Sequence, residues 1–206
     1  MVLILNEDQS FMANDTSIEY TYETFMALVN AIIPRTPNLA ELYGDIMFYG
    51  ALDFYTDEYL VMMLNHYFIP LYNITANLLN VASEEFIRLS EGSINDRFFS
   101  DEYPLFSQLS SEEIFLITYQ LVDYAAGNDQ VNLQDYPGIL TILTSLNRYT
   151  LLGYYSEWYG YGSTRMNTPN QRFLQYFPPS WEQVEYPGPS LSYISYVREY
   201  YAQKES

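Results

Sequence analysis

Helical periodicity carries the first three-quarters of this chain and stops at Gly153. The segment beyond that glycine cannot be one continuous helix. Gly, Pro, Asn and Ser punctuate residues 153–190, and Pro178-Pro179 removes donors and steric room that a helix interior needs. The tract holds Thr150-Leu-Leu-Gly-Tyr-Tyr155, Trp158-Tyr-Gly-Tyr-Gly162 and Trp181-Glu-Gln-Val-Glu-Tyr-Pro-Gly-Pro189. Eleven of the chain's 23 tyrosines lie between Tyr149 and Tyr201. A connection of roughly 35 residues is long for a compact domain and is usually functional. Its rings at Tyr154, Tyr155, Trp158, Tyr159, Tyr161, Phe173, Tyr176, Phe177 and Trp181 argue against disorder. The tract therefore reads as a conformationally specified surface.

The preceding residues read as helices. Asn14-Asp-Thr-Ser17 offers N-cap candidates for a helix whose apolar stripe is Ile18, Tyr22, Phe25, Met26, Val29 and Ile33, closed by Pro34 and Pro37. A second helix is expected over Ala40–Phe54 and a third from Thr56, with Asp57 and Glu58 in its first turn and a break at Pro70. Residues 71–80 and the short segment Ser83–Leu89 then form separate pieces. Ser110-Ser-Glu-Glu113 is a capping box, opening a helix through Ile114, Ile117, Leu121 and Tyr124 that Gly127 closes. Pro137 suits the first position of a helix to Tyr149, and Ser190 or Ser192 caps a last one through Tyr193, Tyr196, Val197 and Tyr200. The expectation is an all-α fold: one irregular helical domain of about six to eight helices, with a long aromatic Gly/Pro-rich loop before the last. Residues 1–16 form an arm, 17–152 the helical body, 153–190 the loop region and 191–206 the final helix.

Charge and inventory exclude many functions. Asp and Glu total 26 against eight Lys and Arg, a net of −18. Residues 1–128 hold 19 of the acids and three arginines, a net of −16, which leaves −2 for the rest. Such a surface repels phosphate backbones and anionic lipid, so neither nucleic acid nor a membrane surface is an expected partner. No stretch approaches the roughly 18 apolar residues of a transmembrane helix. The chain has no cysteine, which removes disulfides, thiolate metal sites and cysteine catalysis.

Candidate chemistry meets a simpler explanation in each case. His66 is the single histidine and sits among Met62, Met63, Tyr67 and Phe68, as a core histidine would. Asp57/Glu58 and Glu84/Glu85 stand at expected helix starts, where the macrodipole accounts for them, and Asp101/Glu102 in a polar loop. Tyr159-Gly-Tyr-Gly162 lacks the strand and helix of a nucleotide-binding turn and reads as a turn needing positive φ. Trp158 and Trp181 could wall a sugar site, though covering the helical core is the simpler role. No catalytic, cofactor-binding or metal-ligating residue is assigned.

Two segments together resemble the gluconate 2-dehydrogenase subunit 3 family. One is Phe25-Met-Ala-Leu-Val-Asn-Ala-Ile-Ile-Pro-Arg-Thr-Pro37, similar to that family's early helix ending in Ile-Ile-Pro. The other is Thr150–Tyr155 followed about 30 residues later by Tyr186-Pro-Gly-Pro189. The resemblance implies a non-catalytic helical small subunit that binds no cofactor itself and accompanies a flavin-dependent large subunit, where FAD resides, and a cytochrome subunit. It also implies a periplasmic or extracellular setting. Many family members carry a twin-arginine signal, whereas Met1–Ser17 shows neither twin arginine nor h-region.

The leading expectation is an accessory subunit binding a flavoprotein through Gly153, Tyr154, Tyr155, Trp158, Trp181, Tyr186, Pro187, Gly188 and Pro189. The alternative is a self-assembling structural protein, in which the apolar arm Val2, Leu3, Ile4, Leu5 docks into a neighbouring copy. A stand-alone enzyme is the least favoured reading.

Overall fold

The computed structural model describes residues 18–65, 71–89, 105–121, 139–186 and 188. These form an all-α domain of eight α-helices joined by 3-10 turns, with no strand among the described residues. The arm residues Val2–Leu5, His66, Pro70, Gly127, Pro137, Pro187, Pro189 and the final helix expected over 191–206 lie outside the described residues.

The first helix, α1 (Ile18–Ile32), is the centre of the packing. Phe25, Leu28 and Val29 are fully buried, whereas Met26 is exposed. The buried stripe is thus turned toward Leu28 from the one the sequence pattern suggested, because helices pack on more than one side of α1. Thr21 and Thr24 are buried on it as well, and the Thr24 hydroxyl donates to the Tyr20 carbonyl at 2.9 Å.

Residues Ala40–Phe54 do not form one helix. They give α2 (Ala40–Tyr43) and two 3-10 turns, Asp45–Phe48 and Ala51–Phe54. Two glycines impose the breaks. Gly44 has φ +87°, outside the helical region. At Gly50 a Cβ would lie 2.9 Å from both the Arg35 nitrogen and the Ile33 oxygen, so the segment must fold tightly against the Pro34 bend. The Ala51 amide donates to the Ile33 carbonyl and the Thr36 amide to the Met47 carbonyl, both at 2.9 Å. The Asp53 carboxylate accepts from the Gly50 amide at 2.8 Å and from the Arg35 guanidinium through both oxygens. These bonds hold Asp53 below the usual carboxylate range, the Arg35 bond most of all.

Helix α3 (Thr56–Asn65) begins where the sequence indicates. The next, α4 (Leu71–Leu89), is continuous through the expected break before Ser83. Ser83 is buried within the helix, and its hydroxyl donates to the Leu79 carbonyl at 2.8 Å. Helix α5 (Ser111–Tyr119) carries the expected capping box: Glu113 accepts from the Ser110 amide at 2.8 Å, and Ser110 Oγ accepts from the Glu113 amide. The helix expected to end at Tyr149 is two, α6 (Ile139–Leu143) and α7 (Leu146–Tyr155), with a turn at Thr144 and Ser145. The last, α8 (Pro179–Gln183), lies within the Gly/Pro-rich tract.

Phe25, Leu28, Phe54, Leu60, Leu64, Leu79, Phe106, Ile117 and Leu146 form the centre of one hydrophobic core. Burying each such side chain stabilises the fold by roughly 1.5–3 kcal/mol. An exposed ion pair contributes about 0–1 kcal/mol, so Arg35–Asp53 fixes geometry more than it adds stability.

One buried polar group ties three elements together. Asn80 on α4 donates to the Ala76 carbonyl at 2.9 Å and approaches Thr24 Oγ1 on α1 at 3.4 Å. Its oxygen accepts the Phe106 amide at 2.8 Å. Replacing it strands a buried N–H, and Asn80→Ala is expected to lower unfolding free energy by about 2–3 kcal/mol, measurable by urea denaturation.

Candidate partner-binding groove

The aromatic tract is built on the C-terminal end of α7. A helix leaves its last four carbonyls without intrahelical donors. Here Gly153's accepts from the Ser156 hydroxyl at 2.9 Å, Tyr154's from the Ser180 hydroxyl at 2.8 Å and Tyr155's from the Trp181 indole N–H at 2.8 Å. Two of these donors come from α8, so the tract is folded back and fastened to the helix from which it departs. Gly153 lies inside α7 rather than at its end. A Cβ there would sit 2.7 Å from Tyr59 Cδ1 and 3.0 Å from Thr56 Cγ2, so its lack of a side chain lets α7 pack closely on α3.

The middle of the tract is anchored on α3 through Trp158, which is 1% exposed. Its indole N–H donates to the Tyr55 carbonyl at 2.9 Å. Tyr55 itself adopts φ +54°, a left-handed conformation uncommon for a residue with a Cβ. The Arg165 guanidinium lies 3.6 Å from the centre of the Tyr55 ring and bonds both oxygens of Glu58, at 2.6 and 3.2 Å. Arg172 lies 5.1 Å from the centre of the Trp158 ring.

Between these anchors, residues Tyr159–Thr164 form a 3-10 helix kinked at Gly162, where φ is +52° as the glycine pattern suggested. The Gly160 carbonyl accepts the amides of Gln175 and Tyr176 at 2.7 and 3.0 Å, which brings the segment before α8 alongside. Pro178 and Pro179 stay out of a helix interior, as expected: Pro179 opens α8 at its first turn, where no amide donor is required.

This framework divides the predicted partner-binding residues. Gly153, Tyr154, Trp158, Trp181 and Gly188 are buried, the first four held by the packing and hydrogen bonds above. Their burial places them beneath the surface, and Trp181 also lines the groove beside it. Tyr154 is stacked on Phe54 with ring centres 4.7 Å apart and donates to the Tyr49 carbonyl at 3.3 Å. Burial pushes its phenol up to about 12, so it keeps its proton across the neutral range. Tyr155 and Tyr186 are exposed, and so are Phe173, Leu174, Tyr176, Phe177 and Val184.

An open groove of about 700 Å³ runs beside the α7–α8 junction. Tyr155, Tyr161, Trp181 and Tyr186 line it together with Leu174 and Val184. Trp181 meets Tyr186 edge to face, with ring centres 4.9 Å apart at 84°, and Phe177 at 5.4 Å. Glu157 and Glu185 supply the carboxylates of the lining. The Tyr161 hydroxyl donates to Glu157 at 3.0 Å, and burial, reinforced by that bond, pushes its phenol up to about 12. Sequence reasoning missed Tyr161, Leu174, Val184 and the two glutamates, because only the return of α8 onto α7 brings them together.

The carboxylate candidates take different places. Glu58 is paired with Arg165, Glu85 with Arg88, and Glu84 is exposed. Asp101 and Glu102 lie outside the described residues. Among the described residues no three His, Asp or Glu side chains group as metal ligands would, and no helix is long and apolar enough to cross a membrane. Asp57 is partly buried, and desolvation pushes its carboxyl above the usual range. The folded state thus favours protonated Asp57. Its contribution to stability is full below the ordinary value of 3.8 and is lost as pH rises through the folded value. Asp57→Asn is expected to raise the thermal midpoint at pH 7 and to lose that advantage below pH 3.8, as differential scanning calorimetry at the two pH values will show. No protein-family model, curated protein or solved structure matches the chain.

Proposed function

We propose that this chain is a non-catalytic accessory subunit that docks a flavin-dependent oxidoreductase through the aromatic groove, with FAD carried by the partner. The observation that carries the docking reading is the cluster of exposed rings and aliphatic side chains around the groove, at Tyr155, Phe173, Leu174, Tyr176, Phe177, Val184 and Tyr186. Rings of this kind give large contact area at small entropic loss, and aromatic residues are enriched at the energetic centres of protein interfaces. The support beneath them is fixed before docking, which removes part of the ordering penalty of association. The similarity to the gluconate 2-dehydrogenase subunit 3 family supplies the class of partner.

A second reading, self-assembly into a structural polymer, is favoured by another feature. Phe115, Leu116 and Tyr119 stand exposed on α5 at three- and four-residue spacing, as one apolar row. The arm Val2–Leu5 of a neighbouring copy is its proposed occupant. Deleting residues 1–5 then abolishes polymers seen by negative-stain microscopy, and unchanged polymers reject the arm's role.

The accessory-subunit reading is tested by purifying the tagged chain from its native cells. A stoichiometric flavoprotein, identified by its flavin absorbance, is expected to accompany it. Val184→Ser with Tyr186→Ser, both at exposed sites, should reduce the recovered flavin about tenfold or more without a comparable loss of folding. A stable, flavin-free assembly containing this chain alone would sink the reading.

A further inference from the structure

The groove has a chemical preference that goes beyond docking in general. Its lining combines four aromatic rings, Tyr155, Tyr161, Trp181 and Tyr186, with the carboxylates of Glu157 and Glu185. Among the described residues no cationic side chain lines it. Among the described residues, ion pairs form at Arg35–Asp53, Arg88–Glu85 and Arg165–Glu58, none of which involves Glu157 or Glu185. The charge of Arg172 reaches Tyr161, but its guanidinium is held over Trp158 and donates to the Asn167 carbonyl at 2.9 Å. The groove is therefore an anionic, aromatic concavity on a chain of net charge −18.

The chemistry of this lining selects its ligand. Ring faces carry negative quadrupole charge and attract ammonium or guanidinium groups. The two carboxylates attract the same groups and disfavour anions, while Leu174 and Val184 offer apolar surface to an aliphatic stem. Three of the four ring tips are already engaged: Tyr161 with Glu157, Trp181 with the Tyr155 carbonyl, and the Tyr155 hydroxyl with Gln183 at 3.3 Å, while the Tyr186 ring packs edge to face on Trp181. Ring positions are thus set before binding, so that a ligand need not order them.

Resting on the docking reading, we infer that the groove receives a lysine or arginine side chain projecting from the partner protein. The cationic head lies among the rings and the two carboxylates, with its stem along Leu174 and Val184. The partner surface that matches this groove is accordingly basic at the point of insertion.

The two tryptophans of the chain provide the assay, since Trp181 lines the groove and Trp158 is buried in the anchor on α3. Their indole N–H signals are followed by NMR in the full chain during titration with Nα-acetyl-arginine methylamide. The neutral isosteric citrulline derivative serves as control. The arginine derivative is expected to shift the Trp181 signal saturably, with a dissociation constant on the order of 1–10 mM, while the Trp158 signal stays in place. The citrulline derivative should bind about tenfold more weakly or less, as should arginine to the Glu157→Gln/Glu185→Gln variant, in which an unmoved Trp158 signal reports intact folding. Equal response to the two probes, or no response of Trp181 to arginine, overturns the inference. If the probes fail while a flavoprotein still co-purifies, the cation mode is rejected and docking stands. If the probes bind as expected and no flavoprotein co-purifies, the cation site stands and the class of partner is wrong.

Discussion

The interaction on which the aromatic tract depends is the capping of α7. Three of that helix's four terminal carbonyls would otherwise face an end without backbone donors, and each is met by a side chain from Ser156, Ser180 or Trp181. Two of these donors lie 26 residues downstream of their acceptors, so satisfying the helix end and closing the tract are one event. Everything between is then held at both edges, by α7 and α8 on one side and by the Trp158–Tyr55 bond on the other. The groove is the concavity beside the α7–α8 edge.

Aromatic residues in this chain have two separate tasks. Phe54, Tyr154, Trp158 and Trp181 are interior, with rings stacked or edge to face and the polar tips of the last three bonded to backbone carbonyls. Tyr155, Tyr176 and Tyr186 extend the same cluster to the surface. Continuity between the two sets matters energetically, because an exposed ring backed by a buried one has fewer positions to lose on binding. The arginines have structural work in the same tract: Arg165 and Arg172 cover the Tyr55 and Trp158 rings, and Arg165 neutralises Glu58.

Legibility in the sequence followed the range of the interactions concerned. Local signals were readable: the Ser110–Glu113 box, the start of α3 at Thr56, the end of α1 before Pro34 and the positive φ at Gly162. Signals that require a tertiary neighbour were not. Gly50 reads as an ordinary helix residue until the Pro34 bend is brought against it, and Ser83 reads as the start of a separate short helix, whereas it lies within α4 with its hydroxyl on Leu79. Gly153 marks an ending by composition, yet its role is to admit Tyr59 and Thr56. In the tract itself no periodicity distinguishes an inward from an outward ring, so the aromatic surface was recognisable while its division into Trp158 inside and Tyr186 outside was not.

Trp181 joins two equilibria usually considered separately. Its indole N–H secures the helix end, and its ring forms part of the groove lining. A ligand that requires this ring in place would therefore favour the closed form of the tract over any form in which α8 has lifted, by RT ln(1 + [L]/Kd). Conversely, loosening the Ser180 bond, which lies outside the groove lining, would weaken such binding without touching the ligand. Binding at the proposed groove would thus report local folding, its affinity measuring how firmly one helix end is closed.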